Sequence, residues 1–334
     1  MDLNTNFLDG AFPSAITGLK TLQTLNLTVN QLTGPIPTTI GNMVNLVDLY
    51  ISDNFLSGSI PTEMGLLVGL RNLRIERNFI QGVIPTELAA MTSLETLSFS
   101  GNAVGPDLPV ELAGMPKLRE LDFSACQIAS LPTEFVNNAP SLQVLKLGNN
   151  AITGTVLPAT WTSQSLITLD LSGNNLVTTI PANLTKLANL KNLHLASCQL
   201  TGPLPTDITS FTTLEIFDLD TNFVEGTLPT SMGSMTTLTE ILFGTNFFTG
   251  TIPTEFGLLK RLEILELQLN VGLTGTVPEE VLALENLIMV NVTGTGIAGA
   301  GLPGNSTEAP GGTPTPPPNS SSNETDAPGG SPTL

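Results

Sequence analysis

Asparagine recurs every 24 residues along this chain, at Asn6, Asn30, Asn54, Asn78, Asn102, Asn150, Asn174, Asn222, Asn246 and Asn270. Cysteine takes the place at the two missing steps, Cys126 and Cys198. Around each step the sequence reads L-x-x-L-x-L-x-x-N-x-L, as in Leu22, Leu25, Leu27, Asn30 and Leu32. Leucines at this spacing point to one side of a short strand, and the residues between them point to the other, because side chains on a strand change face at every step. One such coil cannot bury its apolar side alone, so successive coils must stack around a shared core. The asparagine turns inward where the chain leaves the strand, and its amide can satisfy backbone groups that stacking would bury. Its column is therefore structural.

The second half of each period carries L-x-G-x-I-P, seen as Leu32-Thr33-Gly34-Pro35-Ile36-Pro37 and again at Leu56 to Pro61, Leu200 to Pro205 and Phe248 to Pro253. The glycine permits a tight turn, and the proline fixes φ and withholds a donor as the chain passes to the outer side. On these motifs the units are identified as leucine-rich repeats, and the chain resembles the plant-type extracellular class, whose relatives are receptor-kinase and receptor-like ectodomains and polygalacturonase-inhibiting proteins. The resemblance covers about residues 3 to 299, in twelve consecutive registers. It implies an α/β-type repeat fold: a right-handed, curved solenoid with a parallel concave β-sheet and short 3-10 or loop segments on the convex side. It also implies ligand contacts on the concave face.

Departures from the pattern mark where regularity should fail. The glycine is lost at Ser130 and replaced by Thr178, and the coil through Thr155-Val156-Leu157-Pro158 carries one extra residue. A later insertion near Gly272 leaves a final strand of Leu287, Val290 and Val292, with Thr295 where asparagine belongs. The domain division expected is a solenoid over 1–299 and a disordered tail over 300–334, rich in Pro, Gly, Ser, Thr and Asn and a candidate for O-glycosylation. The chain starts in mid-repeat, with neither a signal peptide nor the cysteine-bearing N-terminal cap usual in the class, so a truncated start is expected.

A formal net charge of −18 excludes nucleic acid as a partner, since nothing would neutralise phosphates. The two cysteines occupy the same ladder position three coils apart, about 14 Å at the strand spacing, which is about twice the reach of a disulfide. Both are expected as buried free thiols. With one histidine and no Ser/His/Asp set, phosphate loop, zinc motif or dinucleotide fingerprint, the chain does not read as an enzyme, and no cofactor or metal is expected. No apolar stretch is long enough for a membrane span. Sequons occur at Asn26, Asn183, Asn291, Asn305, Asn319 and Asn323. A chain this rich in Asn and Thr gives about that many by chance, so the setting rests on the Ser/Thr/Pro tail and the plant-type repeat, which favour an extracellular or cell-surface location over a cytosolic interaction scaffold.

The concave face can be read directly. The residue between the second and third leucines gives a central column that includes Asn26, Tyr50, Arg74, Asp122, Asp170, His194, Asp218, Glu266 and Asn291. Two zones emerge as candidates for a peptide, glycan or protein ligand. In the first, Arg71, Arg74 and Arg77 crowd one strand with Glu76, beside Tyr50, the only tyrosine, and suit a sugar carboxylate or peptide terminus. The second is acidic, with Asp170, Asp218, Asp220, Glu240 and Glu266 around His194 and with Asp122 upstream, and suits a cationic peptide or amine. His194, flanked by Asp170 and Asp218, should hold its proton above the pH of a free imidazole. A competing reading rests on threonine after the repeat proline, at Thr38, Thr62, Thr86, Thr133, Thr206, Thr230 and Thr254. Such rows on a rigid rod could adsorb to ice, mineral or cell-wall polymer. Phe7, Phe55, Phe79, Phe223 and Phe247, each following the ladder asparagine, should stack on one another along the flank.

Overall fold

The structure, a computed structural model, describes residues 1–154 and 161–298. The proposed tail, the insertion at Thr155 to Pro158 and the sequons Asn305, Asn319 and Asn323 lie outside the described residues. Among the described residues, twelve parallel strands form one sheet, from Thr24–Asn26 at one edge to Met289–Asn291 at the other. Each strand pairs only with the coil before and the coil after it. The register is the sequence period itself: Leu25 faces Leu49, Leu49 faces Leu73, and the central column runs Asn26, Tyr50, Arg74, Ser98 and Asp122 in step. The late insertion is absorbed behind the sheet, because Glu266 still faces Asn291. This is the right kind of array for a leucine-rich-repeat solenoid: one sheet, one linear core, and contacts confined to neighbours.

Leu25, Leu49, Leu73, Leu97 and their counterparts are fully buried. Trp161 belongs to the same core, and its indole nitrogen donates to the Thr133 carbonyl at 2.9 Å, so its one polar atom is satisfied. On the convex side, Pro37 and Pro61 lead into one-turn 3-10 helices, Thr38–Asn42 and Thr62–Leu66, and the pattern recurs through Thr254–Leu258. These turns pack so closely that a Cβ at Gly65 would stand 2.3 Å from the Glu87 carbonyl.

The ladder asparagine stitches its own coil to the one before it. Asn54 donates to the carbonyls of Leu27, Ile51 and Ser52 at 2.9 to 3.2 Å and accepts the Leu32 amide at 3.0 Å. Cysteine preserves only part of this, since Cys126 and Cys198 each direct Sγ at the carbonyl 27 residues back, at 3.4 and 3.1 Å. Both thiols are free, and burial pushes them up to about 11 and about 12 respectively. Cys198 is buried as expected, but Cys126 is only half-buried, a correction to the sequence reading. A flanking sheet that covers the earlier coils ends at Ala103–Val104, which leaves Cys126 at an open margin. In the last coil Thr295 does part of the asparagine's work: its hydroxyl donates to Val292 O at 2.7 Å and accepts the Ile297 amide at 3.2 Å.

Two five-stranded flanking sheets run beside the main one, the first from Asp9–Ala11 to Ala103–Val104 and the second from Thr201–Gly202 to Gly296–Ala298. Between them only single bridges remain, such as Asp107 to Ser130 and Thr179 to Thr201. The gap takes in the two coils that lost their glycine, at Ser130 and Thr178, with Gly154 kept between them. Where it is kept, Gly34 and Gly226 sit at φ 72° and 90°, which other residues reach only with strain.

Candidate recognition surface

Side chains of the central column project from the concave sheet, only Ser98 among them being fully buried, and at the N-terminal end they line a shallow cavity of about 500 Å³. Its walls include Asn26, Tyr50, Ser52, Asp53, Arg74, Glu76 and Arg77. Three of these come from the strand Asn72–Arg74 and the turn after it. Arg77 projects over the margin because the residue before each ladder asparagine takes a left-handed conformation, φ 50° at Arg77 and 55° at Asp53. Glycine fills that position only at Gly101 and Gly173, so the sequence pattern does not signal the bend at Asp53 and Arg77.

Both guanidinium groups are already engaged. Arg74 binds Glu76 at 3.2 Å and reaches across the intervening strand to Glu120 at 2.9 Å. Burial opposes its charge, but Glu120 and Glu76 outweigh that and raise its pKa. Ser98, over which the side chain passes, is fully buried, and its hydroxyl has no hydrogen-bond partner. Arg77 grips Asp53 with a two-bond fork at 2.5 and 2.6 Å, and that bond chiefly raises its pKa. Glu76, itself buried, also accepts the Ser52 hydroxyl in a short hydrogen bond. Tyr50 is pushed up by burial and by the Asp48 carboxylate, which its hydroxyl contacts at 3.5 Å. The zone is a set of ion pairs, with donors and acceptors alternating. Arg71 stands apart from this set. It precedes the strand, is exposed and does not line the cavity, whereas Glu120, two coils away, was missed because nothing in the local motif signals a bridge over 46 residues.

The C-terminal zone is built differently. His194 stands in register between Asp170 and Asp218, with Nδ1 3.5 Å from the Asp218 carboxylate. Its pKa is raised, chiefly by the hydrogen bond to Asp218 and further by the charges of Asp170, Asp218 and Glu240, against the opposing effect of burial. Asp122, Asp170 and Asp218 each accept the backbone amide two residues on, at 2.9 to 3.0 Å, which fixes their rotamers. Asp220 and Glu266 share the Gln268 amide at 3.4 and 3.3 Å, and the arch is possible because Gly244 lies between them. Half-buried Ile216, Leu242 and Ile264 alternate with these carboxylates. The result is an acidic face with an aliphatic centre. Among the described residues, no group of three His, Cys, Asp or Glu side chains is arranged to hold a metal ion.

Other sequence candidates fall elsewhere. Asn26 and Asn291 occupy the two edge strands of the concave sheet, their side-chain oxygens accepting the Thr28 and Thr293 amides. Asn183 lies in the convex helix Ala182–Lys186. The threonine row is exposed on the convex side, but Val110 and Ala182 interrupt it. No helix among the described residues is long and apolar enough to cross a membrane.

Comparison with known proteins agrees with this geometry. The sequence model of the leucine-rich-repeat family matches residues 1–56 and 140–200. No curated protein matches the chain. Among solved structures, the complex of PEPR1 with AtPEP1 is 28% identical with a TM-score of 0.72, over 90% of this chain and 45% of that one. The plant peptide hormone receptor RGFR1, solved with RGF2, is 27% identical with a TM-score of 0.60, over 90% of this chain and 55% of that one. A leucine-rich-repeat protein of Leptospira interrogans is 27% identical with a TM-score of 0.63, over 88% of this chain and 85% of that one. The chain thus spans about half the length of the two plant receptor chains. The likeness to plant-type leucine-rich-repeat ectodomains, read first from the motifs, is shown by these comparisons, and bacterial proteins share the fold.

Proposed function

We propose that the chain is an extracellular or cell-surface recognition module that acts by binding, and that its ligand is a peptide lying across the strands of the concave sheet. The observation that carries the reading is the cavity at Tyr50, Arg74 and Arg77, at one end of an uncovered twelve-strand surface. Its paired charges suit backbone amides and polar side chains, which can bond alternately to guanidinium and carboxylate without evicting either. Beyond it, the carboxylates and aliphatic residues between Asp170 and Glu266 suit basic and apolar side chains of the same peptide. The likeness to the plant peptide hormone receptor RGFR1, solved with RGF2, supports the ligand class. In this setting Asn291 is a glycan acceptor at the far edge of the sheet, whereas Asn26, in the wall of the cavity, belongs to the peptide-binding surface.

A peptide array followed by calorimetry tests the reading. Arg74→Ala and Tyr50→Ala should each weaken a selected peptide about tenfold or more, and Thr206, Thr230 and Thr254 changed together to Val should leave it unchanged. The reverse pattern would sink the concave-face reading and favour adsorption through the convex threonine row.

A further inference from the structure

The residue after each ladder asparagine forms an outward column along one flank, beside the concave margin. It holds two aromatic shelves. Phe55 and Phe79 stack with centroids 6.1 Å apart and planes at 13°, and Phe223 and Phe247 repeat this at 6.1 Å and 14°. Stacking does not bury them: their exposures are 50%, 62%, 50% and 53%. Each shelf lines its own shallow cavity. Aromatic pairs left this open on a rigid surface mark an interaction site.

The arrangement of the column identifies the partner. Counting outward from Ala151, Gln127 corresponds to Asn175, Phe79 to Phe223 and Phe55 to Phe247, and only the small Ala103 against Gln199 departs from the correspondence. A surface that reads the same from both ends about its midpoint is what a two-fold axis requires, because an isologous interface sets residue i against j and j against i. The geometry points to a second copy of this chain as the occupant: an antiparallel dimer whose axis passes through Ala151, with Phe79 and Phe55 of each copy against Phe223 and Phe247 of the other. The axis lies in the flank and perpendicular to the rod, so both concave faces open to the same side and neither is covered.

Charge supports the same partner. A chain of net charge −18 repels its own copy, so a self-interface must be found where charge is sparse. Along the Phe55 to Phe247 span, this column and its two outward neighbours carry only three charged residues, Asp53, Arg77 and Glu225. Asp53 and Arg77 neutralise each other through their fork. Under the two-fold, Glu225 meets Gln81, Arg77 meets Thr221 and Asp53 meets Thr245, so no like charges face. The strip is about 40 Å long and about 17 Å wide, roughly 700 Å² a side, close to the area of a stable interface.

Sedimentation equilibrium of the full chain at micromolar concentrations tests this. The expected species has twice the 35.0 kDa chain mass, and Phe79→Asp or Phe223→Asp should weaken it by about 30-fold or more. Because these side chains are half exposed, the variants should keep the wild-type circular dichroism. Phe79→Lys and Phe223→Glu chains should each be weakened alone and recover dimer when mixed, since the two-fold sets the new ammonium of one chain opposite the new carboxylate of the other. In a Cys126→Ser background, Ala151→Cys should cross-link to a covalent dimer under mild oxidation far faster than Thr206→Cys on the convex side. A monomer at every concentration, a dimer indifferent to both aspartate substitutions, or no preferential cross-link at position 151 would each overturn the proposal. So would a monomer that uses the same phenylalanines to bind an insoluble polysaccharide.

Discussion

The two halves of the concave sheet have one backbone and two kinds of surface. From Asn26 to Asp122 the outward positions carry cations that are matched one by one with acids, and the matching spans coils: Arg77 to Asp53, and Arg74 to both Glu76 and Glu120. From Asp170 to Glu266 the carboxylates outnumber their cationic partners, which are Lys191 for Glu215 and His194 for Asp218, while backbone amides fix Asp170 and Asp218 and one glutamine bridges Asp220 and Glu266. The repeat therefore decides where a side chain points, and the residue chosen decides whether that position stiffens the sheet or stays available. Stability should be concentrated in the first half and charge attraction in the second.

The largest test of that contrast is Arg74→Ala. It leaves Glu76 buried without its cation and removes the cover from Ser98, at a cost of about 1–2 kcal/mol after allowing for an arginine side chain that is 38% exposed. Arg74→Lys should recover less than half, because one ammonium cannot reach two carboxylates on opposite sides of a strand. The corresponding change in the acidic half, Asp218→Ala, should cost about 1 kcal/mol or less. Denaturant midpoints with unchanged slopes would measure all three, and equal losses at Arg74 and Asp218 would erase the distinction between the halves.

That distinction was only partly legible in the sequence. Leu25, Asn30 and Gly34 specify strand, ladder and turn by local physics, and the 24-residue step then fixes which outward residues are neighbours, so the column from Asn26 to Asn291 could be read in full. The flank gap was foreshadowed by Ser130 and Thr178. Pairing was not legible, because the reach and rotamer of a long side chain are set by neighbours one or two coils away. Arg71 and Arg74 look alike in sequence, yet only Arg74 stands on the strand with carboxylates on either side. The left-handed residue before each asparagine was hidden for a related reason: the ladder imposes that conformation on Val29, Asp53 and Arg77 alike, whatever their own preference.

A smaller effect sharpens the view of the acidic half. Gly148 and Gly244 occupy the same column, but a Cβ at Gly148 would meet the Asp170 carboxylate at 3.1 Å, whereas one at Gly244 would meet the Gln268 amide at 2.2 Å and Asp220 at 2.5 Å. Neither glycine has a positive φ. Gly148→Ala should change stability by less than about 0.5 kcal/mol in either direction, its loss of chain entropy offset by the tight contact. Gly244→Ala should cost about 1 kcal/mol by forcing Gln268 away from Asp220 and Glu266. If the two variants are equally stable, the glutamine arch does not hold those carboxylates in place.

The smallest effect belongs to His194, and it tests whether the acidic half has a charge that responds near neutrality. Its hydrogen bond to Asp218 and the nearby Asp170 and Glu240 raise its pKa above the 6.5 of a free imidazole. A histidine raised on folding contributes stability that is complete below the unfolded value and is lost as pH climbs through the folded one. Wild-type stability should therefore decline slightly, by less than about 1 kcal/mol, between about pH 6.5 and pH 8, and His194→Gln should remove the decline. Asp218→Asn should lower the histidine's pKa in a proton NMR titration, because the largest cause of the rise goes with that carboxylate. The ion-paired N-terminal half contains no histidine, so its Arg74→Ala variant should keep the wild-type pH profile over this range. A His194 pKa at or below that of free imidazole would mean that burial outweighs the surrounding carboxylates, and the acidic face would then present a neutral ring at its centre.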